Sequence, residues 1–206
     1  MLCLIREYFM KHIFLIAILV STHSLYSKSF ESDIVKAAME RTQQDVRYDG
    51  AYVSIEYPNG DVPSNTGVCT DVVIRSYRVL GSDLQKLVHE DIKVNFSLYP
   101  SNRIWGLKKP DRNIDHRRVP NLQTFFKRHG TTLSISKDPK KYKAGELVTW
   151  MLPGNLPHIG IVSSKVSLET GNPLVIHNIG RGPELSDMLF TYVITGHYRY
   201  VPLIYN

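Results

Sequence analysis

The chain has 206 residues, 43% hydrophobic and 21% charged, with a formal net charge of +6. This balance fits one globular domain with an ample core and excludes a disordered segment, while two cysteines exclude a disulfide-stapled mini-protein. The positive charge is concentrated between Arg103 and Lys143, with 12 basic and 3 acidic residues, and suits an anionic polymer or a carboxylate-rich substrate; Lys137, Lys140, Lys141 and Lys143 read equally well as a solvated loop.

Met10-Lys11-His12, the apolar run Ile13 to Val20 and the small-residue stretch after it have the order of a secretory signal. Residues 1–27 are therefore expected to be removed, with Met10 as an alternative start, leaving a single domain over 28–206 that is exported, either periplasmic or secreted. Eight apolar residues fall short of the roughly 20 that a bilayer-spanning helix needs, so no stable membrane span is expected after cleavage. Nucleic acid is excluded as a partner by that destination and by the lack of an aromatic-interleaved basic motif. Cys3 leaves with the signal, so Cys69 becomes a lone thiol in an oxidising compartment.

From Asp33 to about Val46, apolar residues recur at helical spacing. Tyr48 to Tyr57 is rich in β-formers and reads as a strand, followed by a dense run of turn formers from Pro58 to Gly67. Cys69 then opens a helix through Val72, Val73, Ser76 and Leu80 that Gly81 stops. A cysteine there meets unpaired N–H groups and the positive end of the helix dipole, which favour the thiolate; Asp71 in the same turn opposes it. Ser82-Asp83-Leu84-Gln85 reads as a capping box for a further helix through Ile92.

Residues 94–118 lack periodicity and carry Trp105, Asp115, His116, Arg117 and Arg118. They read either as a binding loop, with Asp71 and these five residues as substrate contacts, or as an ordered surface loop whose arginines pair with carboxylates. Pro120 starts a helix that ends at Gly130. The last third switches to strands over Glu146–Met151, His158–Val162, Leu174–Asn178 and His197–Val201, so the fold class is α+β, with N-terminal helices packed on a C-terminal antiparallel sheet.

His158 begins one of these strands and His177 ends the next, so a hairpin brings them together. A thiol nucleophile needs a base to take its proton and a third group to fix that base's tautomer, and Cys69, His158 and His177 fill those roles. No cofactor is called for. A zinc site of the same three residues is chemically conceivable but lacks any recognised ligand spacing, so no metal is expected.

Cys69 at a helix start, Gly145-Glu146-Leu147-Val148, His158-Ile159-Gly160-Ile161 and Ile176-His177 occur in the order of, and resemble, the NlpC/P60 branch of papain-like cysteine peptidases. The resemblance implies a papain-like fold with Cys69 as nucleophile, His158 as base and His177 as orienting residue, Asn178 being an alternative orienter. It also implies that Tyr57 lines an oxyanion site. Longer strings, Gly67–Arg75, Asn113–Leu122 and His177–Pro183, resemble the exported YijF-like family, a domain of unknown function. Together these imply an exported cysteine hydrolase, a peptidase or amidase, that cuts an amide bond in peptidoglycan stem peptides or a related cell-wall peptide through an acyl-enzyme. Transfer to an amine instead of water stays open, and a non-catalytic cell-envelope binding module on the same fold is the alternative. The peptidase family's Asp-Cys-Ser-Gly is replaced here by Val68-Cys69-Thr70-Asp71, so specificity does not carry over.

Overall fold

The computed structural model describes residues 29–205; the expected signal and its alternative start lie outside them. Among the described residues no helix is long and apolar enough to cross a membrane. Helix α1 spans Phe30–Arg41, with Ser29 capping it by accepting from the Ser32 N–H. It begins three residues before the expected Asp33 and stops short of Val46, where Thr42 turns its hydroxyl back to the Met39 carbonyl. Helix α2 is Cys69–Val79 and helix α3 is Leu84–Asn95. The cap of α3 is Asp83, which accepts from the Gln85 N–H, and not Ser82, whose buried hydroxyl finds no partner among the described residues. A short helix α4, Ser101–Trp105, and helix α5, Val119–His129, complete the helical layer.

The sequence-based strand over 48–57 is a correction. Only Arg47–Tyr48 (β1) is extended in a ladder, pairing in parallel with Thr66–Gly67 (β2). Among the described residues, those beyond it meet no strand; their backbone is tied instead by side chains, Asp49 accepting from Ala51 and Asn113 from Ile55.

The C-terminal sheet is antiparallel throughout, in the order β3-β8-β4-β5-β6-β7. Its strands are β3 (Thr131–Thr132), β4 (Leu147–Leu152), β5 (Leu156–Val166), β6 (Pro173–His177), β7 (Glu184–Ser186) and β8 (Val193–Arg199). Alternation along the strands gives two faces. Leu147, Ile159, Ile161, Ile176 and Tyr198 pack with the buried sides of α1, α2, α3 and α5. Val148, Trp150, Val162 and Val175 form a second core with Tyr142, Met188 and Leu189, and the Trp150 indole donates to the Leu189 carbonyl. Helices on one face and a short segment on the other make this an α+β protein, as the sequence order implies.

Glu146 ties the sheet's middle together. Its carboxylate accepts from the Lys143 N–H at 2.7 Å, from His197 at 2.6 Å and from Arg199. Burial works against its charge, but these donors hold its pKa below the usual value. Removing the carboxylate leaves the buried His197 ring and the Lys143 N–H without their acceptor while the half-exposed Arg199 returns to solvent, so Glu146→Ala is expected to cost about 1–3 kcal/mol, read as a lowered urea midpoint.

Candidate active site

Cys69 is the first residue of α2, delivered there by β2. The turn is built by Asp71, whose carboxylate reaches back to accept the Val68 N–H at 2.7 Å, the N3 half of a capping box, while Val68 itself has no side-chain acceptor. The same carboxylate receives both Nε and Nη2 of Arg117 at 2.9 Å, in a pair whose side chains are only 4% and 3% exposed. Arg117 also donates to the carbonyls of Ala51 and Asp49, and its own carbonyl accepts the Thr70 hydroxyl. Three segments therefore converge on the turn that presents the sulfur.

Burial is the dominant influence on that sulfur. Cys69 is 4% exposed and its thiol is pushed up to about 12 by burial; the N–H groups of Ile159, Thr70 and Cys69 itself pull the other way, and the Asp71 charge adds to the rise. The thiol therefore rests protonated. Ile159 is the residue after His158, so the sulfur lies against the start of β5. It makes no direct hydrogen bond to His158 among the described residues.

The two histidines do meet. His158 Nε2 and His177 Nδ1 are 3.1 Å apart with rings nearly perpendicular, and each residue is 1% exposed. Burial lowers His158 to about 3, helped by His177, and His177 to about 4. The β5–β6 register, Ile161 opposite Ile176, places Gly160 opposite His177. A Cβ on Gly160 would stand 2.6 Å from Val175 Cγ1 and 3.1 Å from His177 Cβ, so the glycine makes room for the pair. On the far side His177 Nε2 lies 2.7 Å from Ser186 Oγ and 3.7 Å from Glu184 Oε1, both on β7.

Other expected site residues are distributed differently. Asn178 turns its amide toward the Gly67 carbonyl at 3.5 Å and accepts from the Gly180 N–H, so it braces the approach to Cys69 and orients neither histidine. Tyr57 packs edge-on against His89 and under Arg112, away from Cys69. The reason is the loop after it: Gln85 holds the Glu56 carbonyl and the Gly60 N–H, and Asp83 holds the Asn59 N–H, fastening the segment to α3. The tyrosine beside Cys69 is Tyr48, paired in register with Gly67; burial first, then the charges of Cys69 and Asp71, raise its hydroxyl to about 12. Tyr48 was missed because the strand pairing that brings it near is only two residues long.

Of the substrate-contact set, Asp71, Asp115, His116 and Arg117 are buried. Asp115 accepts the Asp111 N–H at 2.6 Å, and burial raises it to about 6. Burial and the Arg117 charge lower His116 to about 3. Arg118 stacks on the Trp105 ring at 4.1 Å, and these two stay partly exposed. Among the described residues no three His, Cys, Asp or Glu side chains converge as a metal site.

The family model for a domain of unknown function, DUF1287, matches residues 35–200, a span that contains Cys69, His158 and His177. The chain belongs to this family. It is 53% identical over 167 residues to a protein of Escherichia coli (strain K12) described as "Uncharacterized protein YijF", covering 81% of this chain and 80% of that one.

Two outcomes follow. Arg117→Ala leaves Asp71 charged and buried, so a loss of about 3–5 kcal/mol is expected in urea unfolding. Acid sensitivity follows from the histidines: the unfolded chain binds protons at His158, His177 and His116 near 6.5, the folded chain only near 3 to 4. Their stabilisation is present above 6.5 and is lost as pH falls. Asp115, raised from 3.8 to about 6, acts oppositely and offsets part of this. The urea midpoint is expected to fall between pH 6.5 and pH 4.

Proposed function

We propose that this protein is an exported cysteine hydrolase of papain-like, NlpC/P60-type fold that cleaves an amide bond in peptidoglycan stem peptides. The observation that supports the reading is a buried helix-start thiol on which the N–H of Ile159 acts, one residue along β5 from His158, itself joined to His177. Nε2 of His158 is taken by His177, so Nδ1 is the nitrogen left to receive the thiol proton.

The thiol rests protonated and His158 neutral, so the chemistry is general-base attack and not the action of a preformed thiolate–imidazolium pair. Sγ loses its proton to His158 as it bonds the carbonyl carbon. In this reading the Cys69 N–H and the Tyr48 hydroxyl donate to the oxyanion. His158 then protonates the leaving amine as the C–N bond breaks, leaving a thioester. Water, activated by the same histidine, releases the acid; an amine in its place would give transpeptidation. The exposed cations Arg103, Lys108, Lys109 and Arg112 suit a substrate rich in carboxylates.

The burial of Cys69 favours a second reading, a non-catalytic module that binds the cell envelope and keeps the thiol as packing. Digestion of purified peptidoglycan separates the two. Wild type is expected to release stem-peptide fragments detectable by mass spectrometry, and Cys69→Ala to lower the rate on the order of a thousandfold or more. Identical digests, with both proteins sedimenting with the polymer, would establish the binding module instead.

A further inference from the structure

The His158–His177 contact has two proton arrangements, and only one makes His158 a base. Both rings are neutral, so a single proton lies between His158 Nε2 and His177 Nδ1. If His177 Nδ1 carries it, His158 must hold its own proton on Nδ1 and cannot take one from a thiol. If His158 Nε2 carries it, Nδ1 is a free lone pair and the proton of His177 sits on Nε2. The choice is therefore made at the far nitrogen of His177, by whatever faces it.

Two groups on β7 face it. Ser186 Oγ at 2.7 Å can accept as well as donate and is neutral on the question. Glu184 Oε1 at 3.7 Å can only accept, and a carboxylate there favours a proton on Nε2. The placement comes from the ladder: Glu184 is paired in register with His177, and Ser186 lies two residues on, opposite Val175. Side chains two apart on a strand share a face.

We propose that Glu184 and Ser186 are positioning residues that set the tautomers of the whole chain, with His177 Nε2–H donating to Ser186 Oγ and His158 Nε2–H donating to His177 Nδ1. The inference rests on the hydrolase reading for its purpose, because the arrangement leaves His158 Nδ1 free to receive the Cys69 proton. When His158 takes that proton, Glu184 supplies the only carboxylate facing the histidine pair among the described residues, acting on His177 Nε2 from 3.7 Å. The relay thus runs from His158 to His177, whose Nε2 faces both Ser186 and the half-exposed Glu184 carboxylate.

Nitrogen-15 NMR of the histidine rings in the full chain tests this. In wild type, His158 and His177 are both expected to show a protonated, pyrrole-type Nε2 and a pyridine-type Nδ1. Glu184→Gln, whose amide can donate to Nε2, is expected to move His177 toward the Nδ1–H form and His158 with it; Glu169→Gln, an exposed control, is expected to change neither. Ser186→Ala should weaken the Nε2–H preference and Ser186→Thr restore it. A wild-type His177 protonated at Nδ1, or tautomers unmoved by Glu184→Gln in a chain whose amide spectrum shows it folded, would overturn the proposal. Wild-type tautomers as expected, in a protein that leaves peptidoglycan intact, would keep the relay and remove the hydrolase reading.

Discussion

The buried pair between Asp71 and Arg117 is the constraint on which the candidate site depends. Asp71 spends its carboxylate on the N–H that opens α2 and on both nitrogens of the guanidinium. Arg117 also donates to the carbonyls of Asp49 and Ala51. A buried pair of this kind contributes little net stability against an apolar alternative but fixes one geometry, because either partner alone is an uncompensated charge. The geometry here is that of the turn carrying Cys69, with β1 and Tyr48 held to one side of it and the segment leading to α5 to the other. Asp71 also raises the thiol it helps to place, so position is obtained at some expense in reactivity.

The sheet supplies the other half by an unusual use of its two faces. Ile159 and Ile161 point into the helical layer, while His158 and Gly160 point to the opposite face with Val175 and His177. Cys69 stays on the helical side of β5, where the Ile159 N–H acts on its sulfur, and His158 is the residue before Ile159 on the same strand. Burial that keeps the histidines neutral also keeps the thiol protonated, so the resting site holds no separated charge. That is the low-energy state for ionisable groups in a low dielectric.

Much of this was legible residue by residue. The helix at Cys69, the strands around Val148, Ile161, Val175 and Tyr198, and the helix after Pro120 follow from hydrophobic period and from Gly and Pro punctuation, which are local signals. The meeting of His158 and His177 follows from placing them on consecutive strands, since a hairpin joins the end of one to the start of the other. Tyr57 shows where such reasoning stops: a count of residues back from the cysteine assumes a direct path, and Gln85 and Asp83 divert it onto α3. Arg117 shows the same limit, since a charged residue in an irregular stretch looks like a surface contact until its carboxylate partner, 46 residues away, is known.

By itself, then, the sequence determined the α+β class, with helices followed by an antiparallel sheet, because these depend on neighbours a few residues apart. Tertiary structure alone decided which tyrosine stands at Cys69, that Asp71 and Arg117 neutralise each other, and that β7 brings Glu184 and Ser186 to the outer nitrogen of His177. Those facts rest on pairings across long loops, where closing the chain leaves many partners accessible and only packing selects among them.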